Sequence, residues 1–254
     1  MPKSGKSQSN PDLKETKNMD HEYISRANTY AKKHNHDRAI EYYLKSLKIK
    51  LDKLGPDHSD EATIYNSIAW NYERKWDYGG AIEYYQKDLK IRLATLDPDH
   101  PDMAESYDEI ARLCQKNGDH DQAIDYYHKG LKIRLATLDP DDPNLATRYK
   151  YIGGAYDRKG DHDRAIESYQ KALDIFLNGR RPYRREVAKI YNKLGIVYTA
   201  KGNYNRADES YQKALYVLLA ERRPDYQYAE TVQNNINTLR KKRKAQLGIR
   251  GEKD

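Results

Sequence analysis

A fixed interval of 42 residues constrains the fold of this chain more than any other feature of its sequence. Alanine, tyrosine, leucine, lysine and proline each recur five times at that interval along the 254 residues. Two of these columns are Ala39, Ala81, Ala123, Ala165 and Ala207, and Tyr43, Tyr85, Tyr127, Tyr169 and Tyr211. Self-similarity at a fixed period indicates a repeat architecture, in which each unit packs on its neighbours.

Each repeat has the apolar spacing of two helices. In the second repeat Tyr65, Ile68, Ala69 and Tyr72 follow one another at helical spacing, which predicts a first helix over residues 60–75. A second helix is predicted over 79–97, with one face formed by Ala81, Tyr85, Leu89, Leu93 and Leu96. A single pair of this size cannot bury its apolar stripe alone, so we expect the pairs to stack.

Two further columns predict how the helices of a repeat meet. A position between the helices favours a left-handed backbone, and it holds His34, Trp76, Gly118, Gly160 and Gly202. A column of small residues in the first helix is predicted to face the Ala81-type column and to allow close approach of the backbones. Its members are Ala69, Ala111, Gly153 and Gly195.

The succession of small residues, tyrosine, glycine, alanine and a closing proline resembles the tetratricopeptide repeat, whose usual period is about 34 residues. The 42-residue form, with DPDHPDMA at 97–104 and DPDDPNLA at 139–146, is similar to the repeats of kinesin light chains and nephrocystin-type proteins. The resemblance implies an all-α solenoid of five helix pairs, wound as a right-handed superhelix and closed by a C-terminal capping helix.

The repeats also predict the boundaries of the chain's segments. We expect disordered polar tails at residues 1–18 and 247–254 and a capping helix at 227–246. The five repeats are expected at 19–58, 59–100, 101–142, 143–184 and 185–226.

The resemblance implies where a partner would bind, because the first helix of each pair lines the concave face of such solenoids. The family's groove positions fall on Asn66, Trp70, Glu73, Arg74, Asp108, Arg112, Lys116, Lys150, Asp157, Arg158, Asn192 and Thr199. This polar set favours an extended or helical peptide of a partner protein, with Trp70 as an aromatic anchor. The alternatives are that the charged residues form solvated helix faces and that Trp70 packs on a neighbour.

The formal charge of +7 is carried by the ends of the chain. The formal charges of residues 59–142 sum to −8 and those of residues 143–226 to +7. This distribution favours a bound segment of complementary charge, or weak head-to-tail self-association of an otherwise monomeric chain. The basic run consists of Arg240, Lys241, Lys242, Arg243 and Lys244. It is interpreted as a solvated helix end, with a nuclear-import signal or an anchor for microtubules or RNA as alternatives.

The remaining sequence features argue against other classes of protein. No apolar run approaches the length of a membrane span, so we expect a cytoplasmic or nuclear protein. The histidine and aspartate clusters fall in turns, where these residues cap helices, and we expect no metal or other cofactor. Cys114 lies in a column filled elsewhere by tyrosine and is expected to be buried. With no convergent catalytic set, the sequence predicts a non-enzymatic interaction scaffold or adaptor.

Overall fold

The structure, a computed structural model, describes residues 11–54, 58–179, 183–220 and 224–246. The chain forms two compact units, Met1–Asp119 and His120–Asp254. Throughout the described ranges the backbone forms helices joined by turns, without a strand.

In its described residues the first unit holds five α-helices and a short π-helical segment. They are α1 (Pro11–Lys32), α2 (His36–Ile49), the π-helical Lys50–Leu54, α3 (His58–Arg74), α4 (Tyr78–Thr95) and α5 (Pro101–Asn117). Within this unit α1 packs on α2, α2 on α3, α3 on α4 and α4 on α5.

The described part of the second unit repeats the arrangement with six helices. They are α6 (His120–Thr137), α7 (Pro143–Lys159), α8 (His162–Asn178), α9 (Arg184–Ala200), α10 (Tyr204–Leu219) and α11 (Tyr226–Gln246). Each helix packs on the next one in the sequence, and α11 packs on both α10 and α9. The predicted all-α architecture of consecutive helix pairs is confirmed, and α11 begins one residue before the predicted capping helix.

The predicted N-terminal tail needs a correction, because α1 already begins at Pro11. Polar contacts that the repeat pattern does not reveal hold this helix in place. Asp20 is buried, accepts a hydrogen bond from the hydroxyl of Ser46, and lies 3.0 Å from the ammonium group of Lys50. Residues 11–18 therefore belong to a helix, while residues 1–10 and 247–254 lie outside the described ranges.

The turns inside the repeats have the predicted left-handed backbone. Gly118, Gly160 and Gly202 have φ values of 91°, 85° and 74°. His34 and Trp76 adopt the same conformation, at 57° and 62°, although each carries a bulky side chain. A side-chain oxygen then caps the following helix by accepting a hydrogen bond from one of its backbone N–H groups. The residues that supply this oxygen are Asn35, Asp77, Asp161 and Asn203.

Small residues let the two helices of a pair approach closely. A Cβ atom built on Gly153 would lie 2.8 Å from the ring of Tyr169, and one built on Gly195 would lie 2.4 Å from the ring of Tyr211. The rings that meet these glycines belong to the tyrosine column, where we expected the alanine column. Ala69 and Ala111, the small residues of the earlier repeats, are also fully buried.

The apolar face predicted for the second helix is only partly buried, because the side chain of Leu93 is 52% exposed. The buried face of α4 is formed by Ala81, Ile82 and Leu89, together with Asp88. Leucines at the same position of the other repeats are exposed as well. These are Leu51, Leu135, Leu177 and Leu219.

We expect Trp76→Gly to raise the free energy of unfolding by about 0.5 to 1 kcal/mol. Glycine adopts a positive φ without the steric conflict of a Cβ atom, and the indole it replaces is 77% exposed. Urea denaturation followed by circular dichroism measures the change. His34→Gly in the equivalent turn should give a gain of the same sign, and a loss of stability in both variants would contradict the strain at this position.

Candidate functional site

Several of the predicted groove residues meet around one pocket in the first unit. The pocket has a volume of about 350 Å³ and is formed by the end of α3, the turn after it, the first residue of α4 and the end of α5. We call it the tryptophan pocket, and its lining consists of Trp70, Glu73, Arg74, Trp76, Tyr78 and Lys116. Four of these six were predicted from the sequence, whereas Trp76 and Tyr78 were not.

The aromatic side chains of the tryptophan pocket differ in how much of each ring is already in contact. Trp70 meets His36 edge to face, with ring centroids 5.8 Å apart, and the guanidinium of Arg74 lies 4.9 Å from the Trp70 ring centroid. Its side chain is nevertheless 39% exposed. Trp70 therefore packs on a neighbour and also presents surface to the pocket, which combines the two alternatives drawn from the sequence.

Trp76 and Tyr78 form the second aromatic wall. Their ring centroids lie 6.3 Å apart and their planes meet at 75°. The ammonium group of Lys116 lies 5.3 Å from the Tyr78 ring centroid. Trp76 is the most exposed aromatic ring of the pocket, so its indole is the largest free apolar surface there.

An ion cluster that includes Glu73 and Lys116 of the pocket joins α3 to α5. Both oxygens of Glu73 accept hydrogen bonds from the guanidinium of Arg112, at 2.7 and 2.9 Å, and Lys116 donates a third at 3.1 Å. The bonds from Arg112 are the largest cause that lowers the pKa of Glu73 to about 2, against the opposing effect of burial. Arg112 also bonds Glu109 at 2.6 Å. Glu73 and Arg112 thus hold two helices together, and their contact with a partner stays a prediction.

The other two predicted residues of the first unit lie outside the tryptophan pocket. Asn66 is exposed on α3 and lines a separate pocket of about 630 Å³, together with Arg92 and Asp102. Asp108 is only 8% exposed, on a turn of α5 whose neighbours Ala104 and Ala111 are buried. Asp108 therefore lies inside the helix packing, and its assignment as a contact for a partner is corrected.

In the second unit, the residues predicted on α7 differ in exposure. The ammonium group of Lys150 donates a hydrogen bond to Glu186 of α9, and Glu186 also accepts one from Lys189 at 2.6 Å. Asp157 lies 3.6 Å from the Nδ1 atom of His162 and is mostly covered. Arg158 is exposed. Of these three predicted residues, Arg158 is the most accessible to a partner.

On α9 the predicted groove positions are used within the chain. The Asn192 side chain donates to the hydroxyl of Tyr228 at 3.1 Å and accepts from the amide of Asn235 at 2.8 Å, so α11 covers it. Only 4% of Asn192 is exposed. The hydroxyl of Thr199 donates to the backbone oxygen of Gly195 at 2.7 Å. The assignment of Asn192 to partner binding is corrected, because the capping helix satisfies both ends of its amide.

The structure also locates the remaining groups of chemical interest. Arg240, Lys241, Lys242, Arg243 and Lys244 are all exposed and lie in the last two turns of α11. Cys114 is buried as predicted, and burial is the main cause that raises the pKa of its thiol to about 11. Across the described ranges no three side chains of histidine, cysteine, aspartate or glutamate come together as metal ligands. In the same residues, no helix is both long and apolar enough to cross a bilayer.

We expect Glu73→Gln to lower stability by about 2 kcal/mol at neutral pH, because Arg112 and Lys116 lose their charged partner. The folded-state pKa of Glu73 lies below its ordinary value, so ionised Glu73 stabilises the protein above about pH 4.5. This contribution should disappear as the pH falls from about 4.5 to about 2. Urea titrations of both proteins at several pH values measure the convergence.

The control for this prediction is Glu83→Gln, which removes an exposed carboxylate paired with Lys87 on the same helix. It should change stability by less than about 0.5 kcal/mol. A difference between wild type and Glu73→Gln that stays constant from pH 7 to pH 2 would contradict the assigned role of this ion cluster.

Comparison with known proteins agrees with this architecture. A family model described as tetratricopeptide repeat matches residues 22–94, 77–136 and 102–178, and a second model with the same description matches residues 188–217. A search of curated proteins found no significant match.

Solved structures of similar fold include several repeat proteins. BtubC (BKLC) from P. vanneervenii has a TM-score of 0.62 and 22% identity, over 76% of this chain and 77% of its own. A putative kinesin light chain with nearly identical TPR-like repeats from Podosopora anserina has a TM-score of 0.64 and 20% identity, over 80% of this chain and 97% of its own. MamA from Desulfovibrio magneticus RS-1 has a TM-score of 0.56 and 18% identity, over 81% of this chain and 98% of its own. The family models span most of the chain and these structures share its fold, so the chain belongs to the tetratricopeptide repeat family.

Proposed function

We propose that this protein is a non-enzymatic scaffold that binds a peptide segment of a partner protein along the first helices of its repeats. The observation that carries the proposal is the tryptophan pocket, where Trp70, Arg74 and Lys116 present aromatic and cationic surface side by side. Exposed aromatic and arginine side chains in a concave site are the usual anchors of protein interfaces.

The distribution of polar groups supports binding rather than catalysis. Glu73 is held ionised by its cationic neighbours, and the raised pKa of Cys114 keeps this buried thiol protonated at neutral pH. Neither group has the environment of a proton acceptor or nucleophile tuned to neutral pH. The exposed residues that remain, such as Asn66, Arg74 and Arg158, suit hydrogen bonds and charge pairs with a peptide.

The test is a selection of random peptides on the full-length protein, followed by affinity measurements with variants of one helix pair. Replacing both Trp70 and Arg74 with alanine on α3 should weaken the selected peptides at least about ten-fold. A matched control replaces Leu93 and Lys90 with alanine, since it removes one exposed apolar side chain and one cation from α4.

The outcome of this comparison decides the proposal. Peptides that lose affinity in the α3 variant and keep it in the α4 control support binding along the first helices. The proposal is overturned if no selected peptide loses affinity when exposed residues are replaced on the first helix of any repeat.

A second candidate function is binding of RNA or another acidic surface through the basic run of α11. It is favoured by one observation, the exposure of five consecutive cations at the end of that helix. Phosphate contacts of this kind release counterions, so the affinity falls steeply as salt rises.

For this candidate we expect a single-stranded RNA oligomer to bind with an affinity that drops strongly between about 50 and 200 mM salt. Replacing the five cations of residues 240–244 with glutamine should remove that binding. The control removes five other cations, each paired with an acidic residue one turn earlier, namely Lys45, Lys87, Lys129, Lys171 and Lys213. An equal loss of RNA affinity in both variants, or no RNA binding by the wild type, would rule the candidate out.

A further inference from the structure

The tryptophan pocket lies where a recurring contact of the solenoid is missing. At three junctions a lysine at the end of a first helix forms an ion pair with an aspartate at the start of the preceding second helix. These pairs are Lys75 with Asp37, Lys159 with Asp121, and Lys201 with Asp163. At the junction of α4 and α5 the same two positions hold Gly79 and Asn117, which cannot form an ion pair.

A second departure from the later repeats lies close to this junction, in the turn between α3 and α4. The left-handed position holds glycine in the last three repeats and His34 in the first, but here it holds Trp76, with its indole 77% exposed. The strained backbone costs stability, and the exposed indole offsets little of that cost because little of it is buried. Nearby, the missing side chain of Gly79 leaves the start of α4 open beside Tyr78. These coordinated changes point to a ligand that contacts Trp76.

The cations around the tryptophan pocket restrict the charge of that ligand. Arg74 already lies over the Trp70 ring and Lys116 over the Tyr78 ring, so a cationic ligand would meet like charges at both faces. Glu73 offsets only part of this charge, because its carboxylate is shared between Lys116 and Arg112. Although residues 59–142 sum to −8, the charge at this pocket is positive. The pocket therefore favours an acidic group, contrary to the basic segment that the overall charge suggests.

The ring geometry restricts the apolar part of the ligand. Trp76 and Tyr78 meet at 75° and form two walls at nearly a right angle, rather than a parallel slot for a flat ring. A puckered pyrrolidine ring can contact both walls. The described residues of this unit also offer no strand edge to pair with an extended backbone. A polyproline II segment needs no such pairing, because it is preformed and has no internal hydrogen bonds to replace.

We propose that the tryptophan pocket binds a proline-rich peptide segment with an adjacent acidic residue, the prolines against Trp76 and Tyr78 and the carboxylate near Arg74 and Lys116. This assignment rests on the proposed scaffold function and names the chemistry of the partner. The pocket volume of about 350 Å³ accommodates two or three residues of such a segment.

The test uses tryptophan fluorescence of the full-length protein, since both tryptophans of the chain line this pocket. The probe is a capped peptide of consecutive prolines followed by two glutamates. We expect a saturable change in emission. A peptide with alanines in place of the prolines, and one with lysines in place of the glutamates, should each bind at least about ten-fold more weakly.

Trp76→Gly separates recognition from folding, because this change should stabilise the chain while removing the indole. We expect it to weaken the proline-rich acidic peptide at least about ten-fold, with Trp70 still available as the reporter. His34→Gly is the matched control, being the equivalent change in the turn of the first repeat, and should leave the affinity unchanged. Lys116→Gln should weaken the acidic peptide and leave an uncharged proline peptide unaffected.

Three results would overturn this proposal. They are equal binding of the alanine peptide, unchanged affinity in Trp76→Gly, and tighter binding of a nucleotide or of an acidic peptide with a flat aromatic residue. The scaffold function fails separately. If selected peptides lack proline and ignore Trp76→Gly but depend on Trp70 and Arg74, the scaffold stands and only the proline-rich partner is excluded.

Discussion

The contact between a tyrosine ring and a glycine determines how the helix pairs α7–α8 and α9–α10 are built. At Gly153 and Gly195 the ring occupies the space of the missing Cβ atom, so a methyl group there would collide with Tyr169 or Tyr211. The interhelical distance follows from this contact. The exposed positions of the first helices then follow from that distance, because the opposite face of each helix is already used for packing.

Much of the fold was predictable because the physical requirements recur at a constant interval. The helix pairs, the left-handed turns and the buried tyrosines each appear in several repeats, and repetition separates them from chance. In the tryptophan pocket the same reasoning placed Trp70, Arg74 and Lys116 on one face. These residues were found through their position in the repeat, not through their chemistry.

The rest of the site could not be predicted because it depends on contacts outside the repeat pattern. Asn192 has a groove position by register, yet α11 lies beyond the last repeat and supplies Tyr228 and Asn235 to its amide. Trp76 looked like an exception in a turn, and only the structure shows that its indole and Tyr78 form the wall of a pocket. The start of α1 was not predicted, because buried polar contacts of Asp20 hold this helix in addition to the apolar contacts of Ala27 farther along it.

Building the core from tyrosine instead of phenylalanine has a consequence on the alkaline side of the pH scale. Burial raises the pKa of Tyr85 to about 12, and it also raises the pKa of Tyr43, Tyr169 and Tyr211 above the ordinary value near 10. The folded chain therefore favours the neutral phenols. Between pH 10 and 12 the unfolded chain gains phenolate charges that the interior resists, so successive repeats lose stability together as hydroxide is added.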